Sequence, residues 1–110
     1  MSYSIHITAV AERDILRAAD YIEFTLKNPT AADHLLDAAT EQINSLADMP
    51  EKFRLVDDPV LAGWEIRFLI VNNYLAFYTI DKEKQLVIVV RFLYQKSNWS
   101  SILRRGFPLI

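Results

Sequence analysis

The sequence predicts an α+β fold: an N-terminal strand, an antiparallel helix hairpin packed on a mainly antiparallel four-stranded sheet, and a short C-terminal helix. Three patterns indicate it. Residues 3–8 alternate between apolar and polar side chains, which is typical of a half-buried strand. Residues 10–27 and 29–48 each repeat apolar side chains at helical spacing. Residues 64–99 contain three runs rich in Ile, Val, Phe and Tyr, separated by turn residues, which indicates antiparallel hairpins.

The two long helices are bounded by residues that begin or end helical structure. Thr8 is the expected N-cap of the first helix, because its hydroxyl can accept a hydrogen bond from a free backbone N–H. Asn28 and Pro29 separate the helices, because proline disfavours helical geometry in the residue before it. The connection is short, so the helices are expected to run antiparallel and to cover the core face of the sheet.

The register of the predicted hairpins follows from their turns. Asn72 and Asn73 suit a two-residue type I′ turn, because asparagine tolerates the positive φ that both central positions require. The cross-strand pairs expected from this turn are Val71 with Tyr74, Leu69 with Ala76, and Arg67 with Tyr78. The pairs expected from a four-residue loop at 82–85 are Asp81 with Leu86, Thr79 with Ile88, and Ala76 with Arg91.

Alternation along these strands gives the sheet two different faces. The expected core face carries Ile66, Phe68, Ile70, Leu75, Phe77, Ile88, Val90 and Phe92. The other face carries Arg67, Tyr74, Ala76, Tyr78, Val89 and Arg91. Arginine is uncommon within an apolar strand, so Arg67 and Arg91 are candidate functional residues. The alternative is that they pair with Glu65 or Asp81, or lie over apolar neighbours.

Two further segments are candidates for contact with a partner. Residues 49–63 form a predicted loop in which Lys52 and Arg54 are either exposed charges or a basic rim beside the arginine face. Ser97 is the expected N-cap of a last helix, and the apolar tail at 107–110 either packs back on the domain or offers a patch to a partner.

The tryptophans and the acidic side of the second helix have structural interpretations. Trp64 and Trp99 are expected in the core. Asp33, Asp37 and Glu41 recur at helical spacing and are interpreted as a solvated acidic face, so no metal site is predicted.

Length and composition exclude several classes of protein. A chain of 110 residues predicts one domain, residues 1–110. The absence of cysteine excludes disulfides, thiolate metal sites and thiol nucleophiles, and no cofactor is predicted. No run is long enough for a membrane span and the first residues lack a signal-peptide pattern, so a cytoplasmic protein is expected. The net charge of −2 means that any nucleic-acid role must depend on a local basic patch.

Four sequence stretches together resemble the RelE/ParE family of toxins from type II toxin–antitoxin modules, also described as plasmid stabilisation proteins. They are DIxxAxxYI at 14–22, NPxAA at 28–32, IRFLIVNNYLAFYTID at 66–81 and VIVVRFLYQKSNW at 87–99. The resemblance covers nearly the whole chain. It implies a toxin that arrests growth and is encoded beside an antitoxin whose segment wraps it.

The resemblance also implies which residues would act in each branch of the family. RelE-like members cleave mRNA on the ribosome, and the matching positions are Arg67, Arg91 and Tyr94 as catalytic residues. Lys52, Arg54 and Lys96 are then the expected RNA-binding residues. Guanidinium groups on rigid strands suit this chemistry, because they bind phosphate through two donors and stabilise its developing charge.

ParE-like members instead inhibit DNA gyrase and are not nucleases. In that branch the C-terminal helix and tail are the expected contact surface. A toxin that has lost activity and only binds its antitoxin is a further alternative, and the sequence leaves open whether the chain forms a homodimer.

Overall fold

The computed structural model describes residues 2–110 and has the predicted α+β architecture. The elements are β1 (Ser4–Ile7), α1 (Ala9–Asp20), a π-helix (Tyr21–Thr25), α2 (Pro29–Asn44), two 3₁₀ segments (Ser45–Ala47 and Pro50–Lys52), α3 (Pro59–Gly63), β2 (Arg67–Val71), β3 (Tyr74–Asp81), β4 (Leu86–Tyr94) and α4 (Trp99–Arg104). The strand order is β1-β4-β3-β2, with β1 parallel to β4 and the other pairs antiparallel. No helix within the described residues has the length and apolar character needed to cross a membrane.

The first helix has the predicted cap, and the second has a cap that was not predicted. The Thr8 hydroxyl accepts a hydrogen bond from the Ala11 N–H at 3.2 Å, and Asn28 Oδ1 accepts one from Ala31 at 3.1 Å. The first helix was expected to be α-helical to residue 27. It instead widens into the π-helix, in which the Leu26 N–H bonds to the Tyr21 carbonyl at 3.1 Å. Apolar periodicity does not show this change, because a π-turn adds only one residue to one turn.

The β2–β3 hairpin has the predicted register, with Val71 opposite Tyr74 and Arg67 opposite Tyr78. The predicted type I′ turn is wrong, because only Asn72 of the two turn residues has a positive φ, at 53°. A type I′ turn requires positive φ at both central positions.

The β3–β4 register is correct at one end and shifted at the other. Tyr78 lies opposite Val89, but Phe77 lies opposite Arg91, so Val90 is the extra residue of a β-bulge. The predicted pairing of Ala76 with Arg91 is therefore wrong, and Ala76 faces Phe92. Because a one-residue shift exchanges the faces of a strand, Phe92 and the residues after it change sides.

Both faces of the sheet are largely covered, except at Ile70, an expected core residue that is 55% exposed. The long helices cover the face opposite to the predicted one. The strand residues packed with α1 and α2 are Leu69, Val71, Ala76, Tyr78, Val87, Val89 and Phe92. The expected core face is covered instead by α3, α4 and the tail, around Ile66, Leu75, Phe77, Ile88, Val90 and Leu103. We call these the helix-covered face and the tail-covered face. The alternation of side chains could not show which face of the sheet the helices cover, because both faces are rich in apolar residues.

The C-terminal tail packs back across the tail-covered face. Phe107 contacts Trp64 edge to face, with ring centroids 6.3 Å apart, and the Ile110 carbonyl accepts a hydrogen bond from the Ala9 N–H at 2.9 Å. The prediction of a core Trp64 is wrong, because 46% of this residue is exposed. Trp99 is partly buried at the edge of the core and packs on buried Phe77, with ring centroids 5.2 Å apart.

The start of α4 differs in detail from the prediction. Asn98, rather than Ser97, occupies the N-cap position. The Ser97 hydroxyl instead donates to the Tyr94 carbonyl at 2.6 Å, which stabilises the turn after β4.

Tyr78 holds the loop before β2 against the sheet. Its side chain is fully buried, and its hydroxyl donates to the Pro50 carbonyl at 2.6 Å. Burial raises the pKa of Tyr78 to about 12, although the nearby charge of Arg67 acts in the opposite direction. The neutral phenol is therefore the form that the folded protein favours.

Asp58 joins α3 to α4. Its carboxylate accepts hydrogen bonds from the N–H groups of Val60 and Leu61 and so caps α3. It also accepts the Ser100 hydroxyl and two hydrogen bonds from the Arg104 guanidinium, at 2.9 and 3.0 Å. The hydrogen bonds from Arg104, and then Ser100, hold the pKa of Asp58 well below its usual range.

We expect Tyr78→Phe to destabilise the protein at neutral pH by about 1 kcal/mol, because the Pro50 carbonyl loses its donor. A folded-state pKa above the ordinary value stabilises the protein below pH ~10 and loses that contribution as pH rises toward 12. Denaturant titrations should therefore show a smaller alkaline loss of stability in the variant. Tyr94→Phe, at a half-exposed position, is the control, and equal alkaline losses in wild type and Tyr78→Phe would contradict this assignment.

We expect Asp58 to contribute to acid sensitivity. A depressed folded-state pKa stabilises the protein above the ordinary value of about 4, and this contribution is lost as pH falls below it. In Arg104→Met the strongest cause of the depression is absent, so the free energy of unfolding should fall less between pH 5 and pH 2 than in wild type. Arg105→Met, next in sequence, is the matched control and should keep the wild-type profile.

Candidate functional site

Arg91, a predicted catalytic residue, is held in an ion pair with Asp14 of α1. Its Nε donates to Asp14 Oδ2 at 2.6 Å and its Nη2 donates to Oδ1 at 3.0 Å. The Asp14 side chain is only 6% exposed and that of Arg91 21%. Asp14 Oδ2 also accepts the backbone N–H of Phe92 at 3.1 Å. The Nε and Nη2 edge of the guanidinium and both carboxylate oxygens are thus engaged within the protein.

Arg67, at the start of β2, is held by a different group of atoms. Its Nη1 donates to the backbone carbonyls of Phe53 at 2.6 Å and of Glu51 at 3.3 Å. It therefore shares with Tyr78 the role of fixing the Pro50–Lys52 segment against the sheet. Neither Glu65 nor Asp81, the partners considered from sequence, bonds to either arginine.

The structure does not bring Arg67 and Arg91 into one cluster. Arg67 faces Tyr78 in β3, whereas Arg91 faces Phe77, the adjacent residue. Adjacent strand residues point to opposite faces, so the bulge separates two arginines that unbroken alternation would place on one face.

The predicted RNA-binding residues are exposed. Lys52 lies over the ring of Phe53, 5.1 Å from its centroid, and Arg54 lies over Phe68 at 5.2 Å. Arg54 also approaches Asp57 at 3.9 Å, on the solvent side. Lys96 is exposed in the turn that follows β4. Within residues 2–110, no group of three or more acidic or imidazole side chains could hold a metal ion.

Tyr94, the third predicted catalytic residue, lies in a groove of about 710 Å³ on the helix-covered face. Its ring meets that of Tyr74 edge to face, with centroids 5.7 Å apart, and Tyr74 stacks on Phe92 at 5.2 Å. We call this space the aromatic groove. Its lining residues are Tyr21, Ile22, Leu26, Asn28, Ala31, Leu35, Asn72, Asn73, Tyr74 and Tyr94.

The aromatic groove is apolar and uncharged. No acidic or basic side chain lines it, and its polar groups are phenols and carboxamides. Burial raises the pKa of Tyr74, with smaller contributions from the phenols of Tyr94 and Tyr21. The Tyr74 phenol is therefore neutral at neutral pH. Such a surface suits apolar and hydrogen-bonding ligands rather than phosphate.

Sequence reasoning identified Tyr94 but missed Asp14 and the groove. Asp14 lies in the DIxxAxxYI stretch and sits on the apolar side of α1, beside Ile15. A charged residue on an apolar helix stripe is a signal for a buried partner. The groove gives no local signal, because four separate chain segments form it.

Comparison with known proteins gives a family match and two structural matches. A family model described as the ParE toxin of the type II toxin–antitoxin system parDE matches residues 5–99. The fold is similar to a chain of the chromosomal ParDE system from P. aeruginosa, with a TM-score of 0.69, 18% identity, and coverage of 84% of this chain and 96% of that one. It is also similar to a chain of the RelBE2 toxin–antitoxin complex from Mycobacterium tuberculosis, with a TM-score of 0.57, 17% identity, and coverage of 86% and 99%. No curated protein matches the sequence significantly.

We expect Asp14→Ala to destabilise the protein by roughly 3–5 kcal/mol, because it leaves a partly buried guanidinium and a buried N–H without partners. Asp14→Asn should cost less, since its amide oxygen still accepts one hydrogen bond. Denaturant unfolding measures both. Asp20→Ala, on the exposed side of the same helix, is the control and should change stability by less than about 0.5 kcal/mol. If Asp14→Ala changed the free energy of unfolding as little as the control does, the ion pair would not be important for stability.

Proposed function

This chain belongs to the ParE toxin family of type II toxin–antitoxin systems, and from that premise we propose that it arrests growth by binding a protein target. The proposed target is DNA gyrase, which the family resemblance implies for ParE-like members. A cognate antitoxin is the proposed second partner, since both structural relatives are named as toxin–antitoxin assemblies.

The main support for this proposal is that both strand arginines already bind partners within the protein. Cleavage of RNA without a metal requires cations that are free to bind the reacting phosphate. Arg91 is occupied by Asp14, and Arg67 by two backbone carbonyls. Freeing Arg91 would leave the carboxylate of Asp14 buried without its counter-ion, at a cost of several kcal/mol. The net charge of −2 also favours a protein target over a polyanion.

The proposed target-binding surface is the exposed part of the tail-covered side. Trp64 is 46% exposed, Leu109 51% and Ile110 84%. Phe107, the first residue of the tail, contacts Trp64 and packs against the core beneath. An apolar, aromatic patch of this kind is typical of protein–protein contacts.

Ribosome-dependent mRNA cleavage is the second candidate. Its support is the exposure of Tyr94 at the end of β4, with Lys96 exposed two residues later. In that mechanism Tyr94 would contact the substrate, and Lys52, Arg54 and Lys96 would bind phosphates. Arg67 and Arg91 would have to exchange their present partners for the RNA.

Purified gyrase and an in vitro translation reaction distinguish the two candidates. We expect the wild-type chain to inhibit gyrase supercoiling and to leave translated mRNA intact by primer extension. Ile110→Asp should weaken inhibition roughly tenfold or more, because it places a charge in the apolar contact. Lys52→Ala, also at an exposed position, is the matched control and should inhibit as wild type does. Cleavage of mRNA that is lost in Tyr94→Phe, with supercoiling unaffected, would establish the ribonuclease function instead.

A further inference from the structure

We propose that residues 107–110, which we call the tail strap, are an autoinhibitory device. The strap packs on the sheet in the free protein and must move away from it before the toxin binds its target. This inference rests on the proposed function, in which the tail is part of the target-binding surface. It adds that the closed strap is the resting form and that the open strap is the form that binds.

The strap is held at its two ends by different contacts. At one end, Phe107 meets Trp64 edge to face, with ring centroids 6.3 Å apart. At the other end, the Ile110 carbonyl accepts the N–H of Ala9 at 2.9 Å. Residues 107–110 belong to no helix or strand. A segment without a ladder of backbone hydrogen bonds opens at a lower free energy than the sheet beneath it.

The middle of the strap lies beside unfilled space. Leu109 lines a pocket of about 460 Å³ together with Arg67 of β2, Thr79 of β3 and Ile88 of β4. Leu109 is still 51% exposed, and Ile110 is 84% exposed. A side chain next to a space without atoms makes fewer van der Waals contacts than one in a packed core. Little packing energy therefore opposes the opening of the strap.

Gly106 separates the strap from a helix that is firmly fixed. Leu103 of α4 is fully buried, and Arg104 donates two hydrogen bonds to Asp58 at 2.9 and 3.0 Å. Gly106 follows with a φ of 94°, a conformation that glycine adopts without steric cost. The strap can therefore change direction at Gly106 while α4 keeps its contacts.

Opening the strap would make its apolar side chains available to a partner. Phe107 is only partly exposed in the closed form, since its ring packs on the tail-covered core. Buried aromatic residues are frequent anchors of protein–protein interfaces. When only the open form binds, the apparent affinity is the intrinsic affinity multiplied by the fraction of open molecules. Contacts that close the strap therefore weaken inhibition of the target.

Ala9 offers a way to release the strap without changing the tail. It is the first residue of α1 after the Thr8 cap, and it is exposed. Proline is favoured at this helical position, where its missing N–H is not needed within the helix. Thr8 has φ −62° and ψ 155°, the extended conformation that a residue before proline prefers. Ala9→Pro therefore removes the donor that holds Ile110 and leaves the helix start intact.

The first test compares Ala9→Pro with Ala9→Ser in the gyrase supercoiling assay. We expect Ala9→Pro to inhibit at a concentration roughly threefold or more below that of wild type, because a larger fraction of molecules is open. Ala9→Ser keeps the backbone N–H and is the matched control, which should inhibit as wild type does. Thermal melting confirms that each variant is folded.

The second test locks the strap in the closed form. The hydrogen bond between Ala9 and Ile110 brings the two backbones close enough for a disulfide in Ala9→Cys/Ile110→Cys. The chain has no other cysteine, so this is the single disulfide that can form within it. We expect the oxidised protein to inhibit supercoiling roughly tenfold or more weakly than the same protein after reduction. Ala9→Cys alone, treated in the same way, should not change on reduction.

The third test measures the opening without any target. The Thr8 N–H donates to the Val89 carbonyl in the sheet at 3.1 Å, whereas the adjacent Ala9 N–H donates to the strap. In wild type we expect the Ala9 amide to exchange its hydrogen with solvent roughly tenfold or more faster than the Thr8 amide, because the strap opens independently of the sheet. Equal protection of the two amides would overturn the inference.

The inhibition results separate the strap from the identity of the target. Weaker inhibition by folded Ala9→Pro would show that the closed tail is the binding form and would overturn the inference. Inhibition within twofold in the oxidised and reduced double variant would overturn it as well. Rapid exchange at Ala9 in a chain that never inhibits gyrase would support a mobile strap and refute gyrase as the target.

Discussion

The carboxylate of Asp14 is the point on which the rest of the structure depends. It lies near the point where β1 ends, since β1 pairs with β4 only from Leu86 to Val89. After Val89, β4 has a neighbouring strand, β3, on one side only. Beyond that point the outer edge of β4 is completed by side chains. The Thr8 hydroxyl donates to the Val90 carbonyl at 3.3 Å, and Asp14 accepts the Phe92 N–H at 3.1 Å. The first turns of α1 thus replace the missing strand, and the open sheet edge that would invite another chain is closed.

The same contact lies beside the bulge, and the bulge determines what each face of the sheet presents. With Val90 as the extra residue, Phe92 turns to the helix-covered face and lies opposite Ala76. Phe92 then supports Tyr74 by stacking, and Tyr94 meets Tyr74 from the end of β4. The Arg91–Asp14 ion pair therefore adjoins the residues that build the aromatic groove, although Arg91 does not line it.

Local patterns in the sequence were sufficient for the elements but not for the site. Caps, helical periodicity and the Asn72–Asn73 turn are short-range signals, and they predicted the strands, the long helices and the β2–β3 register. The bulge has no short-range signal, and Asp14, which binds the strand beside it, is 77 residues from Arg91 in sequence. Because both sheet faces are apolar, the face predicted to be covered by the long helices was wrong. Arg67 and Arg91 were correctly recognised as unusual, but their backbone and carboxylate partners are visible only in three dimensions.

This arrangement changes how a mutation of Arg91 can be interpreted. Buried ion pairs add little net stability compared with apolar replacements, yet removing one partner is strongly destabilising. Arg91→Ala would leave Asp14 without its counter-ion and would loosen the bulge, so a loss of toxicity in that variant would follow from unfolding under either mechanism. Mutations of residues outside the Asp14–Arg91 ion pair are therefore the ones that test the function. Tyr94, Lys96 and the tail can be changed without removing the contacts of Asp14 with Arg91 and Phe92. Only such changes can distinguish an RNA substrate from a protein target.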